Sequence, residues 1–210
     1  HLAEESVIGN PSKFPHKSSY DRYYLLVNSG LEQPQTVHSD RYDYNFAYGA
    51  SSYSKGSVFM AQLEYIIGKE NMAKTIKRYY NEFKFKHPTP NDFKRVAEKV
   101  SDMELEWYLN DWTRTTNTVD YGLDISSLSD DRSISVKRKG RMPMPLEIEV
   151  SYDDGSSLLY YIPNDLMHGL KSFDAENVVQ MEAWGWASPE YSFQDITDKK
   201  ITKVEIDPSK

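Results

Sequence analysis

Cysteine is absent from all 210 residues, which excludes disulfides, thiolate metal ligands and a thiol nucleophile. Histidine is scarce: the five are His1, His16, His38, His87 and His168, and no two lie three or four residues apart. A zinc helix of the His-Glu-x-x-His type needs two imidazoles one turn apart on one face, so the chain encodes no such helix. The acidic residues near each histidine complete no ligand set either, and no metal is expected to bind this chain. No apolar run approaches membrane-spanning length. Positive charge is in deficit, 25 Lys and Arg against 32 Asp and Glu for a net charge of −7. Nucleic-acid binding, which needs a concentrated basic surface, is therefore not expected. There is no internal repeat or low-complexity segment.

What is present is aromatic. Sixteen Tyr and four Trp suffice for a core in a chain of one or two domains. The patterning changes near Asn117–Asp120, which divides the chain into a helical part, residues 1–119, and a strand-rich part, residues 120–210. Residues 1–47 read as irregular apart from a short helix over Tyr20–Asn28, with Tyr23, Tyr24 and Val27 on one face. A helix then opens at the run Ser52-Tyr53-Ser54-Lys55-Gly56. Tyr53, Gly56, Met60, Leu63 and Ile67 recur at helical spacing, and Gly68 stops it. Met72, Ile76, Tyr79 and Phe83 mark the next helix. Thr89 as cap, Pro90 at the first position and Asp92 in the first turn open another, with Phe93, Val96, Ala97 and Val100 inward. Ser101 with Glu104 reads as a capping box before Leu105, Tyr108, Leu109 and Trp112. Four helices in short-loop succession imply antiparallel packing.

After Asp120 the alternation has period two. Strands are expected at Leu123–Ile125, Ile134–Val136, Leu146–Val150, Leu158–Ile162, Val178–Trp184 and Thr202–Ile206, with Asp153-Asp154-Gly155 as a hairpin turn. Together these predict an α+β chain ending in a small antiparallel β-sandwich.

Tyr53 places a phenol at a helix mouth, where a neutral hydrogen-bond donor can stabilise an oxygen that gains negative charge. The same spacing also fits a core or surface aromatic, and on periodicity alone that is the reading it favours. The surrounding text adds to it. Tyr48-Gly49-Ala50-Ser51-Ser52-Tyr53-Ser54-Lys55-Gly56 is followed by Phe59-Met60-Ala61-Gln62-Leu63-Glu64-Tyr65-Ile66-Ile67-Gly68. Then come Tyr79-Tyr80, Lys86-His87-Pro88-Thr89-Pro90-Asn91-Asp92-Phe93 and Trp107-Tyr108-Leu109-Asn110-Asp111-Trp112. In this order the pieces resemble the zinc aminopeptidases related to aminopeptidase N and the leukotriene hydrolase, the gluzincins of peptidase family M1.

The resemblance implies the helical C-terminal part of a thermolysin-like catalytic domain, followed by a small β-sandwich. It implies zinc in the intact parent enzyme, a peptide substrate, and hydrolysis of N-terminal residues. Tyr53 matches the family's oxyanion donor, and Tyr48 matches a residue lining the substrate pocket, although an aromatic packed on the cassette fits Tyr48 equally. In the family the metal helices precede this cassette. A start at His1-Leu2-Ala3-Glu4-Glu5, without initiator Met or signal peptide, is read as the C-terminal part of a longer enzyme whose N-terminal catalytic half is a missing partner. Such a fragment is expected to be inactive alone, and the resemblance leans towards an exported, periplasmic parent in a bacterium. The alternative is a non-catalytic peptide-binding or scaffold protein with an aminopeptidase-like fold.

Other residues carry less. Lys55 next to Tyr53 either contacts substrate or, as lysines at helix starts more commonly do, faces solvent or pairs with a carboxylate. Gly56 reads as a close helix passage. His87 reads as a loop residue, and Asp111 and Arg114 as the end of a solvated helix face. Lys137-Arg138-Lys139-Gly140-Arg141 reads as the exposed turn of a hairpin. Trp184 and Trp186 read as core or interdomain packing; a sugar-binding role requires both to be exposed together.

Overall fold

The computed structural model describes residues 14–126 and 132–208. The expectations for residues 1–13, His1 included, lie outside the described residues. The chain is α+β, with α-helices up to Arg114 and strands from Tyr121, among which lies one 3₁₀ turn at Asp165–Met167. Two compact units are delimited, one of residues 1–65 and 108–116, the other of residues 66–107 and 117–210.

In the first unit, α1 spans Lys17–Ser29 and ends on Gly30 in the left-handed region. It buries Tyr23 and Leu26. Tyr24, expected on the inward face with Tyr23, is exposed, because consecutive residues stand about 100° apart on a helix and Leu26, three positions on from Tyr23, takes the inward place. A single 3₁₀ turn at Ser39–Arg41 precedes α2, Asn45–Gly49. The backbone then passes through a π-helical turn, Ala50–Lys55, into α3, Gly56–Ile67. The cassette is thus not the start of a helix, as its spacing suggests. It lies inside a helical run that opens at Asn45.

The π turn changes the phase. A wider turn admits an extra residue, so a stripe counted at 3.6 residues per turn through Tyr53 slips as it crosses it. The buried stripe runs instead through Ser51, Lys55, Val58, Gln62 and Ile66, with Ser54, Leu63 and Ile67 beside it. Aromatic packing completes this unit. Phe59 stacks on Tyr108 at 4.9 Å between ring centroids, the Tyr108 hydroxyl donates to the Phe59 carbonyl at 2.6 Å, and Tyr23 meets Trp112 at 5.9 Å.

In the second unit, Gly68 stands between α3 and α4, Lys69–Phe83, at a φ of 85° that favours glycine. The Thr89 side chain and Asp92 form the capping box that opens α5, Pro90–Ser101. The Asp92 carboxylate, accepting from the Thr89 backbone and side chain, is held below the usual aspartate range. The second box, expected at Ser101 and Glu104, does not form. Ser101 is the last residue of α5 and donates to the Ala97 carbonyl, and α6 opens later, over Glu106–Arg114. The α5–α6 connection is tied to the strand region of the same unit, where the Glu104 amide donates to the Met167 carbonyl at 2.7 Å.

Seven strands follow among the described residues: β1 Tyr121–Asp124, β2 Ser133–Arg138, β3 Leu146–Tyr152, β4 Ser157–Ile162, β5 Val178–Gln180, β6 Glu190–Gln194 and β7 Ile201–Ile206. They form two sheets, ordered β1-β2-β6 and β5-β4-β3-β7. Ile134, Val136 and Phe193 of the first sheet and Ile148, Val150 and Tyr160 of the second belong to one buried cluster. The β3–β4 hairpin turns at Asp153–Ser156 with Gly155 as expected. Pairing is antiparallel except at β4–β5, which is parallel. The strand anticipated over Val178–Trp184 stops at Gln180, and β6 was not anticipated.

Candidate functional site

The cassette is fixed from below and open above. Tyr53 is 75% exposed, and Lys55, two residues on, is 0% exposed. The Lys55 ammonium lies 2.8 Å from Glu32 Oε1, itself buried. It donates to the Thr115 carbonyl at 3.3 Å and stands 6.0 Å from the centroid of the Trp112 ring. Of the readings weighed for Lys55, pairing with a carboxylate is the one the structure supports.

Further contacts hold the π turn. Gln35 Nε2 donates to the Ser51 carbonyl at 2.7 Å, and the Tyr42 hydroxyl lies 3.2 Å from both Ser51 Oγ and the Pro34 carbonyl. The segment carrying Glu32, Gln35 and Tyr42 is anchored in turn, with the Thr36 amide donating to the Thr113 carbonyl at 3.1 Å. Backbone carbonyls displaced from the i→i+4 pattern need other donors when buried. The Gln35 amide is such a donor. Tyr48 packs edge-on against Tyr42, centroids 5.5 Å apart, and is still partly exposed. Gly56 does not serve a close passage: at a φ of −61° a Cβ there would meet only Gln35 Nε2, at 3.9 Å.

Residues 23–112 match the Peptidase family M1 domain. This segment is M1 aminopeptidase-like. It is similar to human glutamyl aminopeptidase, 30% identical over 87 residues, which is 41% of this chain and 9% of that enzyme. The chain therefore spans a small part of the relative it matches. A solved structure, Legionella pneumophila aminopeptidase A in complex with aspartic acid, is similar at a TM-score of 0.43 and 18% identity, covering 73% of this chain and 16% of the other.

The M1-like segment contains Tyr48, Tyr53, Lys55 and Trp112. It contains no metal centre: among the described residues no group of three or more His, Cys, Asp or Glu could hold a metal ion. The described residues do not fit zinc. His87 is exposed, in the loop before α5.

Outside the M1-like segment the remaining candidates resolve structurally. The basic run is not a hairpin turn, since β2 and β3, which flank it, belong to different sheets. Arg138 donates to the carbonyls of Trp186 and Ser188, and its guanidinium covers the Trp184 ring at 5.8 Å. Gly140 passes so close to the Thr118 carbonyl that a Cβ would collide with it. Trp184 is 5% exposed and Trp186 59%, so the joint exposure that sugar stacking requires is not met.

Sequence reasoning missed one polar cluster altogether. The buried carboxylate of Asp195 accepts from the hydroxyls of Tyr152 and Tyr160, each at 2.5 Å, and from Thr197 Oγ1 at 2.8 Å, and it pairs with Arg132. Burial acts to raise its pKa, and the bonds from Tyr152, Tyr160, Arg132 and Thr197 outweigh burial and hold it below the ordinary aspartate value.

Proposed function

We propose that this chain forms part of a zinc-dependent aminopeptidase that removes N-terminal residues from peptides, and that Tyr53 is its oxyanion-stabilising donor. The observation that carries the reading is the exposed phenol of Tyr53 on a backbone turn held by buried contacts, within the segment that matches the M1 domain. A preorganised donor aimed at a developing oxyanion loses no reorganisation energy during the reaction, and this makes such groups catalytically effective. Tyr48, one turn earlier and partly exposed, would border the substrate. The zinc ligands, on this reading, come from sequence outside residues 1–210. When bound, the metal would supply the polarisation of the scissile carbonyl, and this chain's share is the hydrogen bond from Tyr53.

The test is Tyr53→Phe in the intact enzyme. Turnover of peptide substrates is expected to fall by about two to three orders of magnitude, with folding unchanged. Residues 1–210 alone, in the same assay, are expected to hydrolyse nothing and to hold no stoichiometric zinc. Near-normal turnover of the variant, or hydrolysis by the isolated chain, would overturn the reading.

A further inference from the structure

A lysine with no exposed surface is uncommon, and one so close in sequence to an exposed tyrosine calls for a reason. Lys55 and Tyr53 belong to the same π-helical turn, Ala50–Lys55. A π turn is intrinsically less favourable than an α turn and persists where its surroundings dictate it. Three side chains from one other stretch of the first unit, residues 32–42, and a backbone carbonyl from a second dictate it here. Gln35 and Tyr42 hold Ser51 at the start of the turn. Glu32 holds Lys55 at its end, and the Lys55 ammonium also reaches the Thr115 carbonyl beyond α6. Tyr53 lies between the two anchors.

We propose that the buried Lys55–Glu32 ion pair is a positioning element for Tyr53. By pinning the last residue of the π turn inward, the pair sets the helical phase in which the phenol faces out. Without it, the turn is free to relax to α geometry. Removing one residue from the wide turn rotates Tyr53 relative to α3, which carries the hydroxyl away from its working direction. The inference rests on the reading of Tyr53 as oxyanion donor for its catalytic consequence, but its structural content stands apart from that reading.

The single variants Lys55→Met and Glu32→Gln each leave a buried group without its partner, and a folding defect would mask the effect. The informative variant is the double one, Lys55→Met with Glu32→Met, because replacing both members of a buried pair by apolar side chains of similar size is commonly tolerated. The protein is the intact enzyme carrying this sequence, with 3-fluorotyrosine at position 53 and its fluorine resonance as the direct readout.

The double variant is expected to show a shifted, broadened or split resonance, with kcat lowered by about tenfold to a hundredfold and KM nearly unchanged. An unchanged resonance with unchanged kcat would overturn the proposal and leave the pair as packing alone. The Tyr53→Phe control separates the two claims. If that variant keeps full turnover, the donor role of Tyr53 falls, and the resonance alone decides whether the ion pair positions it.

Discussion

Two sites, one in each unit, put their tyrosine hydroxyls to opposite fates. In the first, a buried carboxylate, Glu32, pairs with a lysine and leaves the nearby phenol of Tyr53 exposed. In the second, a buried carboxylate, Asp195, accepts from two phenols, those of Tyr152 and Tyr160. Both arrangements combine a buried acid, a cation and tyrosine. Where the protein itself uses the hydroxyl, the tyrosine is part of the structure; where it fixes the backbone and leaves the hydroxyl to solvent, the tyrosine is available to a ligand. The contrast is broken if the phenols of the second unit can be removed without cost, or if that of Tyr53 cannot.

The largest stability effect is expected for Asp195→Ala. It leaves the Arg132 guanidinium and the hydroxyls of Tyr152 and Tyr160 without the acceptor they share. Removing one partner of a buried pair costs about 3–5 kcal/mol. Chemical denaturation checks the loss, and a change below about 1 kcal/mol would mean that the network only decorates a stable core.

How much of this was legible in the sequence depends on the range over which each feature is encoded. The Thr89 cap and the β3–β4 turn are fixed by neighbours within a few residues, and both appear where the local pattern puts them. The residues of the Tyr53 cassette were legible as a string, but not their phase, because one extra residue in a turn leaves no mark on composition. The exposed face of Tyr53 and the burial of Lys55 both follow from that slip. The parallel β4–β5 pair and the short β6 are set by the sheets that receive them, and alternation over three to five residues does not specify a partner. The Asp195 cluster was the least legible. Its partners Tyr160, Tyr152 and Arg132 lie 35, 43 and 63 residues away in sequence, so no window contains them together.

A smaller and sharper comparison sets Tyr160→Phe beside Tyr53→Phe. Tyr160 is buried, donates to Asp195 and accepts from the Ile196 amide at 2.9 Å. Deleting its hydroxyl removes a hydrogen bond to a charged group, a loss of about 1.5–3 kcal/mol. Tyr53→Phe deletes the same atom from an exposed ring, and a surface change of this kind stays within about 0.5 kcal/mol. Equal thermal stabilities for the two variants would dissolve the distinction between the two sites.

The smallest effect is that of pH, because the shift at Asp195 is a difference of opposed causes. Burial raises its pKa, and the four donated bonds lower it further than burial raises it. A carboxylate whose pKa is depressed on folding contributes stability that is present above its unfolded value, 3.8, and is lost as pH falls through the folded value. Wild type should therefore lose more stability than Asp195→Asn below about pH 4. Tyr160 titrates at the other end. Burial, and then its bond to Asp195, raise its pKa far above the ordinary phenol value, so its contribution is complete below pH 10 and is lost only in stronger alkali. Denaturant midpoints of wild type and Asp195→Asn, followed from neutral pH into acid, should converge. Parallel curves across that range would show that the carboxylate keeps no more of its charge in the folded state than in the unfolded chain, and the donated bonds would then be too weak to explain why its two tyrosines stay buried.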